Sequence, residues 1–210
     1  MAIYSNTLPK STLSLIQHLK DHSFVKPFYL SGGTALSLHL GHRESEDLDF
    51  FIQNDFESNK LVSELSKIGQ LTSTETAPGT VNTNLNGVKL QFLQYPYPLL
   101  EPVISWEGIN LSSVIDIACT KIQTIGMRGN KKDFIDLFFL LKSFSLSQIL
   151  EKVHQKYVGI DYSLTHLLKS LSYFSDADDQ PMPRLHQEIS WSEVKRILIQ
   201  TVKSYPLPLL

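Results

Sequence analysis

Apolar residues recur along the chain in two different patterns, which meet near Leu111. Before that point they come in short runs bounded by glycine, proline or asparagine, which is typical of strands joined by turns and short helices. After it, apolar positions recur every three or four residues behind serines that can cap helices. The pattern therefore predicts an α/β region over residues 1–111 and a helical region over residues 112–210.

The first region is expected to form a small mixed sheet flanked by helices. Asn86-Gly87 lies between two β-prone runs and is the strongest hairpin signal in the chain, because both residues tolerate positive φ. The predicted strands cover residues 28–30, 48–52, 80–85, 88–95 and, at the edge, 106–111. The predicted helices cover residues 11–20, 34–41 and 56–68.

The second region is expected to be a helical bundle. Its predicted helices cover residues 112–127, 132–144, 147–157 and 163–174, and a last helix follows a cap at Ser190 or Ser192. Residues 176–183 are rich in aspartate and proline and are expected to form a surface loop. Taken together, the two regions predict an α+β fold.

The composition excludes several classes of function. The 210 residues are 42% hydrophobic and 19% charged, and a formal net charge of −2 excludes general binding to polyanions. The first residues lack the apolar core of a signal peptide, and no apolar run approaches the ~20 residues that cross a bilayer. We therefore expect a cytoplasmic protein with no membrane partner.

Cysteine and histidine do not indicate a metal–thiolate site. Cys119 is the only cysteine, which suits a reducing compartment, and it is expected to be a small buried helix residue. None of the seven histidines has a spacing that is typical of zinc sites.

The segment from Ser31 to Phe51 carries the candidate chemistry. A strand is followed by a double glycine and a short helix, and then by a strand that bears Asp47-x-Asp49. Glycine lets a ligand approach the backbone closely, and the start of a helix presents N–H groups to phosphate oxygens. Two carboxylates on one face of a strand repel each other unless they share a cation, and Mg²⁺ prefers one or two carboxylates together with substrate phosphates.

This order of features predicts a nucleoside triphosphate bound through Mg²⁺, or through Mn²⁺ in its place. Each feature alone has an ordinary structural interpretation, because a double glycine is usually a turn and Asp-x-Asp is usually a solvated strand end. Their occurrence in this order, between two apolar strands, favours the functional interpretation.

These residues resemble a known family, the AbiEii/AbiGii toxins of the DNA polymerase β-like nucleotidyltransferase superfamily. The first part of the resemblance is Gly32-Gly33-Thr34-Ala35-Leu36 followed by Arg43-x-Ser45-x-Asp47-Leu48-Asp49-Phe50. The second part is Ile117-Ala118-x-x-Lys121, then Arg128-Gly129, then Lys132-Asp133-Phe134-x-Asp136-Leu137. The resemblance covers roughly residues 28–141 and implies a polymerase β-like core followed by the helical bundle.

The resemblance also implies residue roles. Gly32, Gly33 and Thr34 would hold the triphosphate, with Arg43 and Ser45 beside them. Asp47 and Asp49 would bind the divalent metal ion. Lys121 would contact the phosphates or the leaving pyrophosphate, and Asp136 would complete the site. Weaker candidates are Asp133, Gln91 and Lys132. Lys131 and Lys132 lie at the start of a predicted helix, where they would favour contact with a nucleic-acid backbone. The structural alternative for Lys121 and Asp136 is an ordinary interhelical salt bridge.

One feature departs from the superfamily pattern. Many polymerase β-like enzymes carry a third carboxylate on the strand beside the Asp-x-Asp strand, whereas residues 88–94 here contain no acid, and Gln91 or Gln94 occupies that region. An amide cannot activate an attacking hydroxyl by taking its proton. Asp136 or the substrate would then supply that function.

The resemblance implies transfer of a nucleoside monophosphate from a triphosphate to RNA, for example to the 3′ end of a tRNA. Residues 112–210 would complete the active site and form the acceptor platform, and the expected partner is a cognate antitoxin. Two alternatives stay open: a non-catalytic module that binds nucleotide or a partner, and a nucleotidyltransferase acting on a small molecule such as an antibiotic.

Overall fold

A computed structural model describes residues 2–206 and divides the chain into two compact units, Met1–Ser113 and Val114–Leu210. The helices of the first unit are α1 (Lys10–Leu19), α2 (Gly32–Leu40) and α3 (Ser58–Ser66), preceded by a 3-10 helix at Ser5–Thr7. Its strands are β1 (Tyr29–Ser31), β2 (Leu48–Ile52), β3 (Leu71–Ala77), β4 (Thr80–Leu85), β5 (Val88–Gln94), β6 (Ile104–Trp106) and β7 (Ile109–Leu111).

The seven strands form one mixed sheet in the order β3-β4-β5-β2-β1-β7-β6. The central strand β2 is parallel to β5 on one side and antiparallel to β1 on the other. The predicted small mixed sheet with flanking helices is therefore confirmed, including the hairpin that joins β4 to β5 through Asn86-Gly87.

The two faces of the sheet differ in polarity. Phe50 of β2 stacks on Phe92 of β5 with ring centroids 5.0 Å apart, and both side chains are fully buried. Burial of such a side chain contributes roughly 1.5–3 kcal/mol. Asp49 and Gln91 alternate with these apolar residues and are only half-buried, so they lie on the opposite face. The sheet thus packs a core on one face and presents polar groups on the other.

Besides shifts of one or two residues at the ends of elements, the first unit differs from the sequence prediction in β3, in the β6–β7 segment and at the start of α2. Strand β3 was not predicted, because its residues are mostly polar and exposed at the edge of the sheet and show no apolar run. The predicted single strand over 106–111 is a hairpin of β6 and β7, because Glu107 and Gly108 both have positive φ and form the turn. Helix α2 begins at Gly32 rather than at Thr34.

The second unit consists of helices that pack around α4. The helices are α4 (Val114–Met127), α5 (Lys131–Leu140), α6 (Leu146–Lys156), α7 (Leu164–Ser170), α8 (Ser175–Asp178) and α9 (Trp191–Lys203). Helices α5, α6 and α7 each contact α4, and α9 contacts α5. The short helix α8 occupies the start of the predicted loop, and Ser190 caps α9 through the N–H of Glu193. Between residues 2 and 206, no helix is both long enough and apolar enough to cross a membrane.

Helix α4 carries buried polar groups as well as apolar ones. Asp116 on α4 accepts a hydrogen bond from the Lys156 ammonium of α6 at 2.7 Å, with 3% and 1% of the two side chains exposed. Cys119, one turn further along, is fully buried as expected, and burial raises the pKa of its thiol to about 12. The thiol is therefore unreactive at neutral pH. The polar contact between α4 and α6 is made by the Asp116–Lys156 ion pair.

Breaking this ion pair is expected to destabilise the second unit. Replacing Asp116 with Leu removes the carboxylate from a buried ammonium, which costs about 3–5 kcal/mol of unfolding free energy. The double variant Asp116→Leu/Lys156→Met removes both charges and should regain a large part of that loss. Urea denaturation followed by circular dichroism measures both values. A double variant as unstable as the single one would show that the loss of unfolding free energy comes from altered packing rather than from an unpaired buried charge.

Candidate active site

The candidate site forms where β1 passes into α2 beside β2. Ser31, the last residue of β1, lies directly opposite Asp49 in the antiparallel pair. Gly32 then turns the chain into α2 with a φ of 64°, a conformation that favours glycine. A Cβ added to Gly32 would overlap the carboxylate oxygen Oδ2 of Asp49. The Asp49 carboxylate therefore lies against the backbone of the first turn of α2.

The first turn of α2 is suited to bind an anion. The N–H groups at the start of a helix have no partner within the helix, and the helix dipole places partial positive charge there. Because α2 begins at Gly32, both glycines belong to this turn rather than to a loop before it. The predicted triphosphate contacts of Gly32 and Gly33 would thus be made by backbone amides next to the Asp49 carboxylate, which is predicted to bind the metal ion.

Arg43 and Ser45 pack the loop before β2 onto this turn. A Cβ on Gly33 would lie 2.5 Å from the guanidinium Nη2 of Arg43 and 3.4 Å from the Ser45 hydroxyl. Arg43 is buried, and its Nη1 donates a hydrogen bond to the Glu44 carbonyl at 2.9 Å. Both side chains therefore shape the loop that carries Asp47, as well as lining the first turn of α2.

Thr34 fastens the same loop from the helix side. Its hydroxyl lies 2.8 Å from the Ser45 hydroxyl and also hydrogen-bonds the backbone carbonyl of Asp47. The Thr34 side chain is fully buried, so any direct contact between Thr34 and a triphosphate falls to its backbone amide. The threonine in this motif thus positions the first of the two aspartates.

Asp47 and Asp49 have the chemistry of a divalent-metal site. Both are half-exposed and two residues apart, so their carboxylates leave the same face of the sheet. Over residues 2–206, no group of three or more histidine, cysteine, aspartate or glutamate side chains is arranged to hold a metal ion. The two aspartates would therefore supply two ligands, and substrate oxygens and water would supply the others. This donor set fits Mg²⁺ or Mn²⁺.

The strand beside the aspartates carries an amide pair. Gln91 of β5 lies directly opposite Asp49, whereas Gln94 lies opposite Ile52. The Gln91 side chain donates a hydrogen bond from Nε2 to Oδ1 of Asn82 on β4 at 2.9 Å. Gln91 is thus the residue of β5 that lies directly beside Asp49, on the strand where the superfamily pattern predicts a third carboxylate.

Asn82 is a candidate site residue that the sequence interpretation did not include. The signal was present in the Asn86-Gly87 turn, because a two-residue hairpin turn pairs the residues on either side of it. Pairing Leu85 with Val88 places Asn82 opposite Gln91, as observed.

His39 supports the site from the opposite end of α2. Its Nε2 hydrogen-bonds the backbone carbonyl of Ser112 at 2.8 Å, and the Ser112 hydroxyl donates to the Ser31 hydroxyl at 2.9 Å. Burial lowers the pKa of His39, against the smaller opposing effect of the Ser112 carbonyl. A neutral His39 therefore acts as a hydrogen-bond donor that ties α2 to the end of β7.

In the second unit, three further candidates form one buried cluster. The Lys121 ammonium of α4 lies 2.7 Å from Oδ1 of Asp133 and 2.6 Å from Oδ2 of Asp136, both on α5. The exposed fractions of the three side chains are 8%, 5% and 0%. The structure thus contains the interhelical ion cluster that the sequence left as an alternative. The phosphate contact of Lys121 and the catalytic role of Asp136 stay predictions.

The two lysines at the start of α5 differ from each other. Lys131 is buried, and its ammonium binds the backbone carbonyls of Asp178 and Gln180, so the expected contact with a nucleic-acid backbone is wrong for this residue. Lys132 is exposed, and its expected contact with nucleic acid stays a prediction.

Comparison with known proteins identifies relatives of both the sequence and the fold. A family model described as nucleotidyl transferase AbiEii toxin of type IV toxin–antitoxin systems matches residues 14–100. An uncharacterised protein of Aquifex aeolicus is 35% identical over 206 residues, which cover 94% of this chain and 97% of that protein.

Two solved structures share the fold. The nucleotidyltransferase toxin MenT4 of Mycobacterium tuberculosis superposes with a TM-score of 0.59 at 14% identity, over 92% of this chain and 83% of that chain. A Helicobacter pylori protein described as a candidate nucleotidyltransferase superposes with a TM-score of 0.53 at 20% identity, over 93% and 94%. At these identities the likeness establishes the fold, and the predicted fold class is confirmed.

The close approach of Gly32 and Asp49 predicts a large effect of one methyl group. Gly32→Ala should displace the Asp49 carboxylate and weaken Mn²⁺ binding at least about 10-fold, because one of two protein ligands moves. The measurement is Mn²⁺ titration by electron paramagnetic resonance with a non-hydrolysable nucleotide present.

Gly87→Ala is the matched control for this variant. Gly87 also has positive φ, at 82°, but its added Cβ would meet no atom within 4 Å. Both variants should lose about 1–2 kcal/mol of stability from backbone strain, and only Gly32→Ala should lose metal. Equal Mn²⁺ affinity in the two variants would contradict the predicted role of Asp49 as a metal ligand.

Proposed function

Because the chain belongs to the AbiEii family of nucleotidyltransferase toxins, we propose that it transfers a nucleoside monophosphate from a metal-bound triphosphate to RNA. The observation that carries this proposal is the position of the Asp49 carboxylate against the first turn of α2. That position supports the proposal because a carboxylate of the kind that binds Mg²⁺ lies next to backbone amides of the kind that bind phosphate oxygens.

In the proposed reaction, an acceptor hydroxyl attacks the α-phosphorus in line. A bond forms between the acceptor oxygen and the α-phosphorus, the bond to the bridging oxygen of the β-phosphate breaks, and pyrophosphate leaves. Asp47 and Asp49 would hold Mg²⁺, which neutralises charge on the triphosphate when it is bound. The protein positions groups and stabilises charge, and it forms no covalent bond to the substrate.

Individual residues of the chain have separate roles in this proposed reaction. Amides of Gly32 and Gly33 bind phosphate oxygens, while the contacts among Thr34, Ser45 and the Asp47 carbonyl keep the first aspartate in place. Gln91 cannot accept the proton of the acceptor hydroxyl, because a carboxamide is not a base at neutral pH. We propose that Asp136 or the substrate itself takes this proton, and that Lys121 assists the leaving pyrophosphate.

The biological role follows from the same family. We propose that transfer onto RNA, for example onto a tRNA 3′ end in the cytoplasm, makes the protein toxic to its own cell and that a cognate antitoxin opposes it. The helical second unit is proposed as the platform that binds the acceptor.

One observation favours a second candidate function. Gln91 stands opposite Asp49, where a third carboxylate would support proton removal. A protein that binds the metal–nucleotide complex without turnover is therefore the alternative, and it predicts metal-dependent nucleotide binding with no product.

Transfer should depend on Asp49. The wild-type protein, each α-labelled nucleoside triphosphate, Mg²⁺ and total bacterial RNA should give labelled RNA, whereas Asp49→Asn should lose at least about 100-fold in rate, because one metal ligand is lost. Glu46→Gln is the matched control, since it removes one charge from an exposed neighbour outside β2 and should keep full activity.

The outcomes separate the candidate functions. Label on RNA in the wild type and in Glu46→Gln alone establishes the enzyme class, the nucleotide and the acceptor together. Metal-dependent nucleotide binding without labelled RNA contradicts the proposal that RNA is the acceptor. Release of pyrophosphate on addition of a small molecule would then indicate a small-molecule acceptor, and its absence would indicate the non-catalytic function.

A further inference from the structure

A row of three polar side chains crosses the sheet at the candidate active site. Asp49 of β2, Gln91 of β5 and Asn82 of β4 are direct partners across neighbouring strands, so their side chains leave the same face. Neighbouring strands lie about 4.8 Å apart, so the row extends about 10 Å from the metal-binding carboxylate. This distance corresponds to the size of one nucleoside.

The two carboxamides in this row keep hydrogen-bonding capacity. Each carries one acceptor oxygen and an NH₂ group with two donors. Within the described residues 2–206, their one hydrogen bond joins Gln91 Nε2 to Asn82 Oδ1 at 2.9 Å. The pair therefore has the Gln91 Oε1 acceptor beside the Asn82 Nδ2 donor. Exchanging oxygen and nitrogen in both amides leaves the same combination of one acceptor and one donor.

This combination matches the edge of a nucleobase. Each base presents a hydrogen-bond donor next to an acceptor, and carboxamide side chains recognise such edges by paired hydrogen bonds. Both residues are half-buried, so a base can reach them and water is partly excluded. The next cross-strand pair on this face, Asn84 and Lys89, contains no acid. Glu75 of the edge strand β3 lies directly opposite Asn82 and is exposed, so the acidic end of the row is the end farthest from Asp49.

We propose that the Gln91–Asn82 pair binds the base edge of a substrate nucleotide and sets the base preference of the reaction. The inference rests on the proposed nucleotidyl transfer and deepens it, because it assigns a specificity role to the residue directly opposite Asp49. The base belongs either to the incoming triphosphate or to the last nucleotide of the acceptor.

Two variants test the pair with little change in volume. Gln91→Met and Asn82→Leu remove the hydrogen-bonding groups and leave the net charge unchanged. Each should raise KM about 10-fold for one of the two substrates, because one or two hydrogen bonds to the base are lost, and should leave kcat within about 2-fold. Each should also flatten the preference among bases, which is measured in competition assays with all four triphosphates and with RNAs that differ in the last base.

Gln94→Met is the matched control. It makes the same substitution on the same strand, but three residues away and therefore on the opposite face, where Gln94 packs against Gly79. Its KM values and base preference should equal those of the wild type. Thermal unfolding of all three variants shows whether each one is folded before its kinetics are compared.

The result identifies which substrate carries the base. A raised KM for the triphosphate assigns the base to the incoming nucleotide, and a raised KM for RNA assigns it to the acceptor. Gln91→Met with the KM values and base preference of Gln94→Met overturns the inference. A fall in kcat alone also overturns it, because the pair would then act on Asp49 rather than on a base.

The inference can fail separately from the proposed reaction. If the wild type transfers no nucleotide, the reaction is wrong, and the pair is then tested by calorimetry with each Mg²⁺–nucleotide and with short RNAs. Weaker binding of one of these by Gln91→Met than by Gln94→Met supports the base contact. Equal dissociation constants for all of them overturn it.

Discussion

The close approach between the Gly32 backbone and the Asp49 carboxylate is the constraint on which the candidate site depends. It requires antiparallel pairing of β1 with β2 in the register that sets Ser31 opposite Asp49. It also requires a positive φ at Gly32, so that the chain can leave the strand and begin α2 at once. Any side chain at this position would push the carboxylate away from the helix start, so the first turn of α2 and the carboxylate proposed as a metal ligand keep this arrangement only with glycine here.

The division of the sheet into an apolar and a polar face makes this unit accessible. Phe50 and Phe92 supply the core on one face, and the alternation of side chains leaves Asp49 and Gln91 on the other. Because Gln91 is neutral, the residue directly opposite Asp49 on β5 adds no charge to the two aspartates. This charge suits one strongly held divalent ion, and it leaves the neighbouring position to hydrogen bonding rather than to proton transfer.

Buried charges organise the second unit in a different way. Asp116 with Lys156 connects α4 to α6, and Lys121 with Asp133 and Asp136 connects α4 to α5. Such pairs add little net stability compared with apolar residues of the same size, but losing one partner is costly, so they hold the helices in one arrangement. Lys121 and the two aspartates of the Asp133-x-x-Asp136 segment therefore have a structural role, whatever their contribution to the chemistry.

The sequence by itself determined that a strand, a double glycine, a short helix and the Asp-x-Asp strand follow one another. It also determined the Asn86-Gly87 hairpin and most helices of the second unit. These features could be read from the sequence because turns, caps and periodicity depend on residues that are neighbours along the chain. Only the tertiary structure decided that Gln91 faces Asp49, that β3 completes the sheet, and that Lys121 binds both aspartates of α5. These features depend on strand order, register and charge partners, which are set by contacts between distant parts of the chain. A polar edge strand such as β3 has no apolar signal of its own, and a charged residue in a motif looks the same whether it meets a ligand or a neighbouring helix.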